Sequence, residues 1–420
     1  MRSWFRSAGA MMTVALCLLA PTARARATEG APELAVSRAA ALRMGAENGP
    51  SVREARAPAA AAPLVRDAAG GVVSYVPRVT AFGGRREGGF GSGLELGGGV
   101  AQDLSVRGLG DARRHAADAV TQAAHTTVER ARLEGAGMAV LAWLDVIEAQ
   151  QLLALRVTSR NDAIEIERVA TARAARGVSL PIEVSLAAAE VGAAQLAEQD
   201  AEGRVVEARA ALKYALGLPP SPDVVATGEL DAEDAEAAPA PARRDHPAAA
   251  EARAHAALAE ADARLVRAIA TPPLTVGLNY AREGTGEQYL TATVTFPLPL
   301  LDPSRFDAAR QRGNVLTAEA RAVRVRAELA RDDALTLHDR AHTREVRDTL
   351  RTRVIGPLGE AVRLARASYQ SGTQDATSLL LLRQRLVAVQ EQLGHAVAEV
   401  QRADVRSAVA RGTLLDGTSR

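Results

Sequence analysis

The segment from Leu382 to Ala403, LRQRLVAVQEQLGHAVAEVQRA, carries apolar residues at alternating steps of four and three positions. The series is Leu382, Leu386, Val389, Leu393, Ala396, Val400 and Ala403. This spacing places one apolar stripe along one side of an α-helix, as in a coiled-coil seam. A similar series lies 195 residues earlier: Ala187, Val191, Ala194, Ala201, Val205 and Ala208, with Glu198 as an interruption. Both segments are therefore predicted to be helices that pack lengthwise against other helices.

The interval of 195 residues recurs along the chain and indicates an internal duplication. Arg168, Ala170 and Gly177 return as Arg363, Ala365 and Gly372, and Pro77 returns as Pro272. Each copy reads as a helix, two strands, a long helix, a tight turn and a returning helix. The predicted repeats are residues 28–218 and 246–415, with a short tail at 416–420. Residues 219–245 are rich in proline and acid, so we expect a linker with neither helix nor strand.

The long helix of the first copy is predicted between Asp111 and Arg176, a stretch that contains no proline. At 1.5 Å per residue such a helix is roughly 100 Å long. The helical hairpins are expected to turn at 176–179 and 371–374, where Gly177 and Gly372 can adopt the positive φ that a reversal needs. Helices of this length favour a rod rather than a globular domain.

Four short segments, at about 72–83, 90–104, 273–281 and 288–298, read as strands. In the last one, Leu290, Ala292 and Val294 alternate with threonines, which gives one apolar and one hydroxylated face. Strands of about ten residues with this alternation are typical of membrane-spanning β-barrels. Six of the ten aromatic residues beyond residue 27 lie in or beside these segments: Tyr75, Phe82, Phe90, Tyr280, Tyr289 and Phe296. Because four strands cannot close a barrel, several chains are predicted to share one.

The first 27 residues have the features of a secretory signal peptide. Arg2 and Arg6 precede an apolar stretch at 8–20, and Ala25 and Ala27 form a small-residue cleavage site. Cleavage would reduce 51 basic residues to 47 against 50 acidic ones. It would also remove Cys17, the one cysteine, which excludes disulfide and thiolate chemistry. Leu16 before Cys17 disfavours a lipid anchor, because lipoprotein signals carry a small residue there.

The composition also argues against several function classes. A balanced charge and 3% aromatic residues do not suit a nucleic-acid binder. No phosphate loop or Ser, His, Asp set points to an enzyme or to a bound cofactor. His338 and His342, four residues apart on a helix, could hold one metal ion together, but no third ligand is evident in the sequence. We therefore predict no metal site.

Several short motifs occur in a characteristic order. They are Asn48-x-Pro50, GVSLPIE at 177–183, LKYALGLP at 212–219, His246-Pro247, FPLPLLD at 296–302 and GTQDATS at 372–378. In this order the chain resembles the TolC-like outer-membrane efflux proteins from about residue 33 to 415. The resemblance implies a mainly α fold with a small β part, in which duplicated coiled-coil hairpins and four strands assemble as a homotrimer. Its twelve strands would form an outer-membrane barrel, continued by a twelve-helix α-barrel.

The same resemblance implies an exit duct in the outer membrane of a Gram-negative bacterium, extending into the periplasm. Such ducts conduct substrate passively and work with a periplasmic adaptor and an inner-membrane pump. Pro273-x-Thr275-Val276 and the FPLPL run most resemble heavy-metal exporters of the cobalt, zinc and cadmium type. The positions matching the adaptor-contacting tips are Arg176, Gly177, Val178, Ser179, Ser371, Gly372, Thr373 and Gln374. Acids that could ring the periplasmic mouth and favour cations are Asp162, Glu165, Glu167, Glu360 and Asp375.

A protein of another class stays open at this point: a periplasmic coiled-coil structural or adaptor protein without a conduit. Adaptors also carry a long helical hairpin after a signal peptide. They usually have one hairpin between β-domains, whereas this sequence has two hairpins and two strand pairs in tandem. A duct would need detergent for extraction, and a soluble adaptor would be released with the periplasm.

Overall fold

The computed structural model describes residues 33–69, 75–88, 91–105, 108–178, 180–230, 241–243, 245–283, 286–296 and 304–416. The predicted signal peptide, Ser179, residues 231–240 of the linker and residues 417–420 of the tail lie outside these ranges. The helices are α1 Arg38–Asn48, α2 Pro50–Ala69, α3 Leu109–Ala174, α4 Pro181–Ala215, α5 Pro247–Ala270, α6 Arg305–Thr349, α7 Ile355–Ser371 and α8 Ala376–Ala410. The strands are β1 Leu34–Val36, β2 Arg78–Gly88, β3 Gly91–Leu104, β4 Val224–Ala226, β5 Leu274–Arg282 and β6 Gln288–Thr295.

The two halves of the chain repeat one order of elements, and the predicted mainly α fold with a small β part is confirmed. The first half runs α2, β2, β3, α3 and α4, and the second runs α5, β5, β6, α6, α7 and α8. The 66 residues of α3 form one unbroken helix, which at 1.5 Å per residue is roughly 100 Å long. The chain is therefore a bundle of long helices with a small sheet.

The second long rod differs from α3 at one point. A π-helical turn, Leu350–Val354, joins α6 to α7, and Pro357 lies three residues beyond it. Proline has no N–H to donate to the carbonyl four residues back, and its ring crowds that carbonyl. A wider turn just before the proline relieves this conflict and keeps the rod continuous.

Four of the six predicted seam residues of α4 are buried, and Val191 and Ala208 are half-buried. Ala187, Ala194, Ala201 and Val205 each have at most 8% of their surface exposed. Glu198, which interrupts the apolar series, is buried as well. Its carboxylate accepts a hydrogen bond of 2.7 Å from the Arg160 guanidinium of α3. The interruption is therefore a cross-helix ion pair rather than a break in the packing.

The main apolar core lies midway along α3. Trp143 is 3% exposed, and its indole Nε1 donates to the Val36 carbonyl at 3.0 Å. Strand β1 pairs in parallel with β4 beside this tryptophan. The expectation that 219–245 contains no strand is wrong at β4, because Val224 and Val225 are β-branched and find a partner strand far away in sequence. Among the described helices only α3 is apolar and long enough to cross a membrane, and its apolar middle packs in this core.

The first strand of the larger sheet lies about six residues later than predicted. Strand β2 spans Arg78–Gly88 instead of 72–83. Its register with β3 runs from Arg78 opposite Ala101 to Gly88 opposite Gly91. Glycine and charged residues at 83–88 have low strand propensity, yet pairing with β3 recruits them. The other three strands lie within a few residues of their predicted positions.

Candidate conduit: strand faces and helical tips

The larger sheet is antiparallel with the order β2-β3-β5-β6. Residues paired across the strands point to the same face, so the register sorts the side chains into rows. One row is Val79, Val100, Leu278 and Ala292. The adjacent row is Thr80, Gly99, Asn279 and Thr291. The alternation predicted within single strands therefore persists across all four, which gives one apolar face and one polar face.

The apolar face of this sheet is exposed. Val79 is 78% exposed, Leu290 66% and Leu278 51%. On the polar face, Gly277 is buried and Ala281 is 2% exposed, whereas Thr80 and the threonines of β6 are exposed. A sheet in a water-soluble protein has the opposite arrangement, with its apolar face packed on a core. A contiguous exposed apolar face marks a contact with membrane or with protein.

The polar face carries an ordered charge pair at one end. Asp103 accepts from the Arg78 guanidinium at 2.8 Å and from the Thr275 hydroxyl at 2.6 Å. Further along, Phe82 lies over Gly97, where an added Cβ would be 2.3 Å from the ring. Phe82 therefore belongs to the polar face. Tyr280 is the aromatic residue that this sheet places on the apolar face of β5.

The first helical tip turns through a left-handed glycine. Gly177 has a φ of 72°. Its N–H donates to the Ala174 carbonyl at 2.9 Å, and the Val178 N–H donates to the Arg173 carbonyl at 3.0 Å. These bonds end α3 in a Schellman motif. Pro181 then starts α4, and Leu180 before it makes no side-chain cap.

The second tip uses the same turn but a different start for the returning helix. Gly372 has a φ of 82°, and the Thr373 N–H donates to the Ser368 carbonyl at 3.0 Å. The Asp375 carboxylate then accepts from the Ser378 N–H at 3.1 Å and caps α8. These hydrogen bonds lower the pKa of Asp375. The difference between Leu180 and Asp375 thus reflects two ways of starting a helix, proline at the first position or a capping carboxylate.

The two tips present different chemistry to the surroundings. Val178, Leu180 and Ile182 of the first tip are 63%, 65% and 62% exposed. In the second tip the Ser371 and Thr373 hydroxyls lie 3.1 Å apart, and both donate to the Ser368 carbonyl. The first tip is therefore apolar. The second tip is polar, and its hydroxyl groups form hydrogen bonds within the tip.

One contact that the sequence did not predict joins the two hairpins near their tips. The Arg173 guanidinium lies 4.6 Å from the centre of the Tyr369 ring and also donates to the Tyr369 carbonyl. Tyr369 is 2% exposed and packs on Ala365 and Leu379. Burial is the main cause that raises the pKa of its phenol. Few aromatic residues lie in the helices. This rarity was the one feature of the sequence that could have singled out Tyr369.

The acids predicted near the periplasmic mouth mostly have partners. Glu165 pairs with Arg168 at 2.6 Å, and the duplicated Glu360 pairs with Arg363 at 2.5 Å. Each arginine's hydrogen bond is the leading cause that lowers the pKa of its glutamate. Asp162 lies 3.4 Å from Arg383, and Glu167 is half-buried. Local pairing therefore compensates much of this negative charge.

His338 and His342 are exposed on α6, with ring centres 6.1 Å apart and ring planes within 3° of parallel. Across the described ranges, no three His, Cys, Asp or Glu side chains are gathered closely enough to hold a metal ion.

No protein-family model matches the sequence. Among curated proteins, the cobalt-zinc-cadmium resistance protein CzcC of Cupriavidus metallidurans is 24% identical over 280 residues. The match covers 64% of this chain and 65% of that protein, so the chain spans just under two thirds of its relative.

Solved structures match over a larger share of the chain. The CmeC outer-membrane channel of Campylobacter jejuni superposes with a TM-score of 0.73 at 13% identity, covering 89% of this chain and 85% of the other. The channel protein CusC gives 0.70 at 17% identity, with 89% and 92% covered. The open MtrE outer-membrane channel of Neisseria gonorrhoeae gives 0.70 at 18% identity, with 90% and 89% covered. The chain therefore has the fold of the TolC-like outer-membrane channels.

Proposed function

We propose that three copies of this chain form an exit duct in the outer membrane of a Gram-negative bacterium. The exposed apolar face of the sheet carries this proposal. Three sheets of four strands would close a twelve-stranded barrel, with Leu278 and Leu290 toward lipid and Asn279 and Thr291 toward the lumen. Closure also removes the unpaired edges of β2 and β6.

The helical rods support the same assembly. Helix α6 has no buried residue within this chain. Its apolar residues Leu316 and Val323, seven residues apart, are 61% and 66% exposed. An apolar pair at heptad spacing is typical of a helix that packs against another helix. A neighbouring copy would supply that partner and close a twelve-helix barrel below the membrane.

The adaptor contact is proposed at the tips, with the first tip contributing most of the affinity. Exposed Val178 and Leu180, together with Ile182, offer apolar surface that a partner can bury. The other proposed contact positions of this tip are Arg176, Gly177 and Ser179. Ser371, Gly372, Thr373 and Gln374 of the second tip would contribute orientation through polar contacts.

Heavy-metal cations are the proposed cargo, supported by the likeness to CzcC. The acids at the mouth, Asp162, Glu165, Glu167, Glu360 and Asp375, would favour cations by their field. Because several are paired with arginine or with a backbone N–H, this is a minor part of the mechanism. The duct would conduct passively, and the inner-membrane pump would supply the energy.

Cell fractionation and conductance measurements test the proposal. The signal-processed protein should co-sediment with the outer membrane, require detergent and give discrete conductance steps in a planar bilayer. Val178→Asp with Leu180→Asp should abolish adaptor pull-down and leave conductance unchanged, whereas Thr373→Ala should affect pull-down less. A deletion strain should become sensitive to cobalt, zinc or cadmium. Release with the periplasm and no conductance would support the soluble coiled-coil alternative instead.

A further inference from the structure

Helix α6 carries two potential metal ligands on one side, His338 and His342. The helix is continuous from Arg305 to Thr349, so positions four residues apart share a face. At 3.6 residues per turn the two positions lie about 40° apart around the helix. Both side chains are exposed, and the two imidazoles already lie side by side, 6.1 Å between centres.

Within a single chain both histidines stay exposed. Arg340 and Arg344 flank His342 in sequence, but both bind Asp404 of α8, Arg344 at 3.1 Å. Arg340 lies about 200° around the helix from His338. These arginines therefore hold the opposite side of α6 against α8. Their positive charge is turned away from the imidazoles and compensated by a carboxylate.

We propose that His338 and His342 bind one divalent transition-metal ion of the zinc, cobalt, nickel or copper type. Two imidazoles at a spacing of four residues on one helix are a known arrangement for Zn²⁺. Imidazole suits this group of metals better than Mg²⁺ or Ca²⁺. Water fills the remaining coordination positions. The site is a resident one on the helix surface and does not rest on the proposed conduit.

Calorimetric titration with Zn²⁺ alone tests this site. The full-length processed protein is purified in detergent without a histidine tag and stripped of metal beforehand. We expect about one Zn²⁺ per chain. His338→Ala and His342→Ala should each weaken binding by more than about tenfold, since even outer-shell partners of a ligand cost that much.

Matched variants separate ligation from structural damage. His115→Ala removes an exposed histidine of α3 and should leave Zn²⁺ binding unchanged. In the His342→Ala background, Ala341→His restores an imidazole three residues from His338 and should recover binding, whereas Thr343→His points elsewhere and should not. Helicity and oligomer mass are measured for each variant. Absence of Zn²⁺ binding by the parent, or equal binding by the His338→Ala, His342→Ala double variant, would overturn the proposal whatever the conductance result.

Discussion

At the scale of single residues, the helical tips depend on backbone geometry that few side chains allow. Gly177 and Gly372 both have positive φ, which costs a residue with a Cβ about 1–2 kcal/mol. Neither an added Cβ at Gly177 nor one at Gly192 within α4 would meet another atom within 4 Å. The two positions therefore differ in backbone conformation and not in available space.

Gly177→Ala should lower the free energy of unfolding by about 1 kcal/mol, because it forces alanine into the left-handed region. Gly192→Ala should raise it by about 0.5–1 kcal/mol, because alanine favours a helix interior. Urea denaturation followed by circular dichroism measures both. Equal effects of the two substitutions would show that the turn at Gly177 is not strained for alanine.

Asp375 gives the second tip a dependence on pH. Its pKa is lowered in the folded chain by hydrogen bonds from Ser378. The capping contribution is therefore complete above the ordinary aspartate value of about 3.9 and is lost as pH falls through the lower folded value. Hydrogen exchange of the first turn of α8, corrected for the intrinsic rate, should be faster in Asp375→Ala than in the parent at pH 6. The difference should shrink at strongly acidic pH, whereas Asp339→Ala should have no effect there.

At the scale of elements, ion pairs set the register between helices. Glu198 and Arg160 are matched at 2.7 Å across the α3 and α4 seam, where the apolar series is interrupted. Their side chains are 12% and 31% exposed, so water screens the arginine only in part. The pair adds specificity of alignment more than net stability.

Glu198→Ala should destabilise the chain by about 1–3 kcal/mol, because it leaves a half-buried guanidinium without its carboxylate. The double variant Arg160→Leu, Glu198→Leu should lie closer to the parent, since both partners are replaced by apolar groups. Glu202→Ala, an exposed glutamate one turn later, should change stability by less than about 0.5 kcal/mol. A double variant less stable than Glu198→Ala would contradict this account of the seam.

Local sequence patterns predicted most of the helices and strands, but few of the contacts between them. Apolar spacing along α4 and α8, and alternation along β6, depend on residues close in sequence, so they can be read from one chain. The shift of β2, strand β4 in the linker and the contact between Arg173 and Tyr369 depend on partners far apart in sequence. The predicted tip and mouth residues other than Ser179 lie in the described ranges. That the first tip is apolar and the second polar was seen only from the exposure of their side chains.

At the scale of the whole molecule, the central feature is a sheet whose apolar face is left uncovered by the described residues. Leu290 and Thr291 are neighbours on β6 and point to opposite faces. In the proposed barrel the first faces lipid and the second faces the lumen. A charge at these two positions therefore has opposite consequences.

Leu290→Lys should impair insertion and lower the stability of the inserted barrel by about 2–4 kcal/mol if it lies near the bilayer centre. Thr291→Lys should assemble normally and change conductance, because its ammonium group faces water. Heat-resistant oligomer bands from outer-membrane fractions and single-channel recordings measure the two effects. If Leu290→Lys assembled normally and Thr291→Lys did not, the assignment of the two faces to lipid and lumen would be reversed.

The most direct test of the account is the mass of the processed protein, extracted from outer membranes in detergent and measured by native mass spectrometry. We expect a complex of three chains, because only shared strands can close a barrel whose apolar face is covered by lipid. A water-soluble monomer or dimer would contradict it and would assign the sheet to a periplasmic domain.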